Sequence, residues 1–123
     1  MDLRPIVCLL VVSACHGRPA AEASANPYRG DRESAAQGER TFSAMNCDGC
    51  HGGGAVGWVG PSLRDGRWRY GGSDAEIFQS ISSGRPRGMP AYKGLLSPGA
   101  IWKVVTYLQS LEPPPDVPTE SWK

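Results

Sequence analysis

Five consecutive residues, Cys47-Asp48-Gly49-Cys50-His51, constrain this chain more than any other stretch of it. Cysteines three apart on a helical turn present both thiols to one side, and the histidine that follows at once is carried over the same surface. Two thiols placed to add across the vinyl groups of a porphyrin, with an imidazole placed to bind its iron, make C-x-x-C-H the attachment signature of a c-type haem. Covalent attachment and proximal ligation are thereby specified together. Other uses of the pattern fit worse. A zinc site needs a fourth ligand, usually from a second Cys/His pair, and Cys8, Cys15 and His16 all lie at the extreme N-terminus. A thioredoxin-like redox pair calls for a preceding strand and a βαβ frame, whereas here a glycine-rich loop follows.

With 123 residues, 40% of them apolar, the chain has room for one small domain and for segments outside it. A globule of roughly 80 residues is near the size at which burial alone becomes marginal. A haem would supply much of its interior, and the haem-free chain is expected to be poorly folded. The net charge of +1 excludes the strongly basic footprint usual for nucleic-acid binding. Cys8 and Cys15 fall in the leader, and Cys47 and Cys50 are consumed as thioethers, so no disulfide framework remains. Haem attachment of this kind takes place on the outer side of an energy-transducing membrane, which requires export.

Residues 1–14 read as a secretory signal, with Arg4 as the positive n-region and Ile6 to Val12 as an apolar run too short to span a bilayer. The run ends in Val12-Ser13-Ala14-Cys15, which resembles the lipobox of bacterial lipoproteins, where cleavage before the cysteine leaves it to carry lipid. Ordinary cleavage near Ala14 or after Ala20-Ala21 is the alternative. Residues 15–33, rich in Ala, Pro, Gly, Ser and charge, are expected to form a flexible linker with a reach on the order of several tens of Å.

The globule is assigned to 34–112. Ala35, Gly38, Phe42 and Met45 recur at helical spacings, which predicts a helix from Ser34, as N-cap, through Asn46. The segment Gly52 to Gly57 satisfies G-x-G-x-x-G literally, but it follows the haem motif instead of a strand and is rejected as a dinucleotide fingerprint. Its glycines are expected to let the backbone leave the motif and pass close to the porphyrin edge. Gly60-Pro61-Ser62-Leu63 closes the loop, and the proline-fixed turn is expected to set a backbone carbonyl against the second nitrogen of His51, orienting the ring and raising its basicity. Asp74 to Ser83 carries Ile77, Phe78 and Ile81 on one face and stops at Gly84. Ser97-Pro98 opens the longest helix, whose buried stripe is Ile101, Trp102, Val105, Leu108 and Leu111. Residues 113–123 form a proline-rich tail, expected to be extended, in which Trp122 has no assignable role. No alternating strand pattern is visible, so the fold class is all-α, three main helices and long loops around one haem.

What closes the far side of the iron separates an electron carrier from a gas-binding or catalytic haem. His51 is the sole histidine of the globule, and Met45, two residues before Cys47, sits on the same side of the porphyrin. Met89 remains, in Arg85-Pro86-Arg87-Gly88-Met89-Pro90, where two prolines stiffen a loop; Lys93 or an open site are the alternatives. A thioether stabilises ferrous iron and raises the reduction potential.

Taken together these residues resemble the class I c-type cytochromes, specifically the small bacterial single-haem members, over Ala36 to Leu111. The resemblance implies that Gly38 and Phe42 lie where the first helix crosses the last, opposite Val104 and Tyr107. It implies that the Pro61 carbonyl accepts from the proximal imidazole, that Leu63 packs on the haem and that Met89 is the distal ligand. Five steps between Phe42 and Cys47, where shorter members have four, depart from the family pattern. In this family electrons enter through the exposed haem edge near the thioethers. Between Arg64 and Lys93 six basic residues face three acidic ones, a local excess that is either a patch for steering a partner or part of an ordinary mixed surface. Within that stretch Trp68, with Arg67 and Arg69, is a candidate for the propionates.

The expected function is therefore that of an exported, lipid-anchored one-electron carrier of the periplasm or outer membrane face, holding one haem c through Cys47 and Cys50 with His51 and Met89 as axial ligands. It would serve a respiratory chain, between a membrane reductase and a terminal oxidase or periplasmic dehydrogenase. A haem peroxidase or a gas-binding sensor is the rival reading. The peroxidase requires an acid-base residue on an open distal side.

Overall fold

The first long helix begins earlier than its sequence pattern suggests. The computed structural model describes residues 25–113, and there α1 spans Arg32–Ala44 with Asp31 as N-cap, its carboxylate accepting from the Ser34 N–H at 2.9 Å. Ser34, the expected cap, is instead buried at the third helical position. Both residue types cap well, and the one that reaches an orphan N–H first takes the role. Hydrogen bonding from Ser34, its side chain first and then its backbone N–H, holds the Asp31 carboxyl below the usual carboxylate range. The helix ends at Ala44, short of the expected Asn46, which takes a left-handed φ of 58°.

The motif turn α2 (Asp48–His51) follows, then a short 3-10 turn at Gly53–Ala55, α3 (Asp74–Ser83) and α4 (Pro98–Ser110). Every regular element among the described residues is thus helical, and the fold is all-α. Ser73 caps α3 in a reciprocal capping box with Glu76, and Ser97 caps α4 ahead of Pro98. None of these helices is long and apolar enough to cross a membrane.

The core forms where α1 and α3 each pack on α4. At the α1–α4 crossing, buried Gly38 lies directly against the Lys103 backbone, and Phe42 meets Tyr107 with ring centroids 5.6 Å apart. On the other flank Phe78 packs on Trp102 at 4.2 Å, over buried Ile77 and Ile81. Ile101 and Val105, almost wholly shielded from solvent, lie at the centre.

The stretch expected to be a linker up to residue 33 is already fastened to the globule from Asn26 on. Asn26 Nδ2 donates to Thr106 Oγ1 at 3.0 Å, and the Arg29 guanidinium forms two bonds to the Asp74 carboxylate at 2.7 and 3.1 Å. These polar anchors need no apolar periodicity, which is why composition alone suggests a linker. The expected signal (1–14), Cys15, the first part of the linker and the tail from 114, Trp122 included, lie outside the described residues.

Asp74 is buried at the first turn of α3 and also accepts from Gln109 Nε2 at 3.0 Å. The Arg29 bonds hold its carboxyl below the usual carboxylate range. Its ionised form therefore stabilises the fold fully above about pH 4, where the unfolded carboxylate is ionised. That contribution is lost as pH falls through the lower folded-state value. Asp74→Ala is expected to cost about 2 kcal/mol at neutral pH and to flatten the acid limb of stability measured by urea unfolding. An acid limb identical to the parent's would rule this out.

Candidate functional site

The motif is hung from the end of α1. The Cys47 N–H donates to the Phe42 carbonyl at 3.0 Å, and the His51 N–H closes the turn on the Cys47 carbonyl at 2.8 Å. Beyond His51 the glycine loop folds back and grips the turn. The Gly57 N–H donates to the His51 carbonyl at 2.6 Å, and the Gly60 N–H donates to the Cys50 carbonyl at 2.8 Å. Gly57 is required by geometry, and Gly60 makes a close approach. Gly57 has φ 97°, and a Cβ there would sit 2.9 Å from the Ser62 nitrogen. At Gly60 a Cβ would press on the imidazole, 3.0 Å from Cε1 and 3.1 Å from Nδ1, so the bare backbone lies directly against the ring.

The His51 ring is buried, and its Nδ1 lies 2.8 Å from the Pro61 carbonyl oxygen. A carbonyl only accepts, so Nδ1 carries a proton, and in the neutral tautomer that this contact selects, the lone pair is on Nε2. No hydrogen bond among the described residues reaches Nε2. Beside it, Cys47 is half-buried and Cys50 exposed, both as free thiols. Burial pushes the Cys47 thiol up, against the opposing effect of a hydrogen bond from Tyr92.

The other residues singled out from the sequence converge on the same core. Cys47, Leu63, Trp68 and Met89 are partly buried and pack against it, together with Phe78, Tyr92 and Leu96. Leu63 is held by its N–H to the Ala55 carbonyl at 2.9 Å, and the Trp68 indole lies against the Gly72 backbone. Met89 ends a tight turn closed by the Arg85 N–H on its carbonyl at 3.0 Å, with Arg87 and Gly88 both at positive φ. Lys93 is exposed. Arg67 is half-buried and Arg69 exposed, and neither side chain donates a hydrogen bond among the described residues.

Sequence reasoning passed over Tyr92, whose hydroxyl reaches the Met45 carbonyl at 3.4 Å and faces the Cys47 thiol. It also passed over Arg85, which donates to Ser80 Oγ at 2.9 and 3.0 Å and stacks 4.4 Å over the Tyr70 ring. Both sit in loops, where no periodicity marks a side chain as facing inward. These donors fit a c-type haem: two thiols on one turn, a fixed imidazole with a free lone pair, and a lining of half-covered apolar side chains.

Comparison with known proteins agrees. The family described as cytochrome c oxidase, cbb3-type, subunit III matches residues 33–108. The cbb3-type cytochrome c oxidase subunit FixP of Bradyrhizobium diazoefficiens is 41% identical over 80 residues, 63% of this chain and 27% of that protein. Subunit CcoP of Rhodobacter capsulatus is 38% identical over 91 residues, 66% of this chain and 30% of that protein. The chain thus spans less than a third of the length of these relatives. Among solved structures, cytochrome cL from Hyphomicrobium denitrificans superposes with a TM-score of 0.69 at 26% identity, over 74% of this chain and 55% of that one. Cytochrome cL from Methylophaga aminisulfidivorans gives 0.64 at 30% identity, over 68% and 59%. The family match runs through the C-x-x-C-H turn, the proline loop and most of the last helix, and the chain belongs to the cbb3-type cytochrome c oxidase subunit III family of c-type cytochromes.

Proposed function

We propose that this protein is a one-electron carrier that holds a single haem c through Cys47 and Cys50, with His51 and Met89 as its axial ligands. The observation that carries the reading is the His51 imidazole, pinned through Nδ1 to the Pro61 carbonyl at 2.8 Å, with no hydrogen bond among the described residues reaching Nε2 and with Cys47 and Cys50 on the same turn of chain. When bound, the haem supplies a one-electron ferric/ferrous couple. The chain's own contribution is to position and shield it. The Pro61 carbonyl keeps the proton on Nδ1 and makes Nε2 the better donor, and Gly60 fixes the ring from its side. Leu63 and Trp68 cover apolar surface, and the turn closed by the Arg85 N–H on the Met89 carbonyl holds the backbone that carries the thioether.

We further infer an exported protein of the periplasm or outer membrane face, with a signal at 1–14 and a lipid on Cys15. The globule exchanges electrons with a membrane reductase and with a cbb3-type terminal oxidase or a periplasmic dehydrogenase. The names of the relatives support the oxidase as the acceptor.

Mass analysis tests both parts. Protein produced by export in a host that attaches haem is expected to carry the mass of one haem after denaturation, and the Cys47→Ala/Cys50→Ala variant none. Haem mass persisting in the double variant refutes the attachment, and an unmodified start beyond Cys15 refutes the lipid.

A further inference from the structure

Tyr92 joins two parts of the site that lie 47 positions apart in the chain. Its backbone belongs to the loop that carries Met89, three residues upstream. The Tyr92 N–H donates to the Ile81 carbonyl at 3.0 Å, and the Tyr92 carbonyl accepts from the Leu95 and Leu96 N–H groups at 2.9 and 2.8 Å. Its hydroxyl belongs to the opposite end of the site. There it donates to the Met45 carbonyl at 3.4 Å, where α1 has just ended and Asn46, at φ 58°, turns the chain into the C-x-x-C-H motif. Among the described residues no backbone N–H donates to that carbonyl, so the phenol serves an acceptor that the helix end leaves without a partner. The ring is half-buried and packs against the core. Its hydroxyl also faces Cys47, and attachment of a haem keeps the two groups matched. A thioether sulfur has no proton to offer and only accepts, whereas the phenol donates.

We propose that Tyr92 is a positioning residue for the distal side of the haem, a brace that ties the loop bearing Met89 to the attachment turn and so keeps the thioether on the iron. This role presupposes the Met89 ligation proposed above. Pro90 stiffens the step between Met89 and Tyr92, so a loop that swings Met89 away from the iron carries Tyr92 with it. The phenol must then leave the Met45 carbonyl. Because that bond exists only in the closed state, removing it raises the open population, by about threefold for one long hydrogen bond. A small ligand added to the ferric protein binds only when the distal side is open, so its apparent affinity follows the same population.

Imidazole titration of the ferric holoprotein, followed by loss of the thioether-to-iron absorption, reads that population. Tyr92→Phe keeps the ring and its packing, and it is expected to bind imidazole about threefold more tightly than the parent. Thr106→Val is the control. It removes the bond from Asn26, between α4 and the chain ahead of α1, and is expected to keep the parent affinity. Independently of the iron, amide hydrogen exchange at Tyr92 and Lys93 in the holoprotein is expected to quicken about threefold in Tyr92→Phe, with Gly57 and Gly60 unchanged. Imidazole affinity unmoved by Tyr92→Phe overturns the proposal, whatever the amides do. Equal tightening in Tyr92→Phe and Thr106→Val reduces the contact to general stability and overturns it as well. A ferric parent that lacks the thioether-to-iron absorption and binds imidazole as tightly as Met89→Ala overturns the ligation and the brace together. A parent that shows the absorption, with a Tyr92→Phe variant that matches it in affinity, overturns the brace alone.

Discussion

Gly38→Val is expected to destabilise the holoprotein by at least about 3 kcal/mol, at the upper end of what overpacking does, enough to lower its melting temperature by many degrees. Helix propensity alone argues the other way for any small side chain here. Glycine inside a helix is about 1 kcal/mol worse than alanine, so at a roomy position Gly→Ala would stabilise. Position 38 has no room. A Cβ there would fall on the Lys103 carbonyl and would stand 3.0 Å from the Tyr107 Cβ, so contact is made with the backbone of α4 and no side chain can swing aside. The helices would have to part, and Phe42 and Tyr107 would lose each other on the same crossing. Gly53, with nothing within 4 Å of its would-be Cβ, is the control; Gly53→Ala is expected to change stability by no more than about 0.5 kcal/mol. Thermal unfolding of both variants followed by circular dichroism checks the pair, and a Gly38→Val protein as stable as the parent would show that the crossing is looser than described.

Met89→Ala is expected to leave the fold in place and to change the iron. The turn that carries Met89 does not depend on its side chain. It is closed by the Arg85 N–H on the Met89 carbonyl, it is backed by Gly84, whose Cβ would stand 2.8 Å from the Pro90 carbonyl carbon, and it is followed by bonds from the Tyr92 and Lys93 N–H groups to the Ile81 and Ser82 carbonyls at 3.0 and 3.1 Å. The backbone should therefore hold its path when the thioether is removed. On the proposed ligation, the variant loses the thioether-to-iron absorption of the oxidised protein and gains affinity for added cyanide. Its reduction potential falls by roughly 200 mV, within the span of about 0.8 V that axial ligands command. Optical spectra and redox titration of the two proteins decide it. A spectrum and potential unmoved by the substitution would place Met89 off the iron, and Lys93 or an open distal side would take its place.

The parts of this molecule that could be read in advance are those whose causes are local. Asp74 to Ser83 and Gly84, or Ser97-Pro98, carry their boundaries in adjacent residues, and both helices start as the sequence indicates, although α4 stops at Ser110, leaves Leu111 half-buried beyond its end and is no longer than α1. The approach of Gly38 and Phe42 to Tyr107 came only from the family resemblance, because neither residue's place in its own helix names a partner. What escaped depends on contacts distant in sequence. Asn26 finds Thr106 and Arg29 finds Asp74 across 80 and 45 positions, through polar groups that leave no periodic trace. At the site, the cysteines and the histidine declare themselves by spacing. Tyr92 and Arg85 act from loops, where only the folded backbone tells which side chain turns inward.

The two polar anchors ahead of α1 also have a mechanical meaning. Any tension carried along the chain from residues before 25 arrives first at Asn26 and Arg29, and passes from there into the first turn of α3 and the end of α4. Their four hydrogen-bonding side chains act as a strain relief, like the clamp on a cable where it enters a housing. A tug is thus taken up in shear across two helices, and α1, with the C-x-x-C-H turn suspended from its far end, is spared from being peeled away.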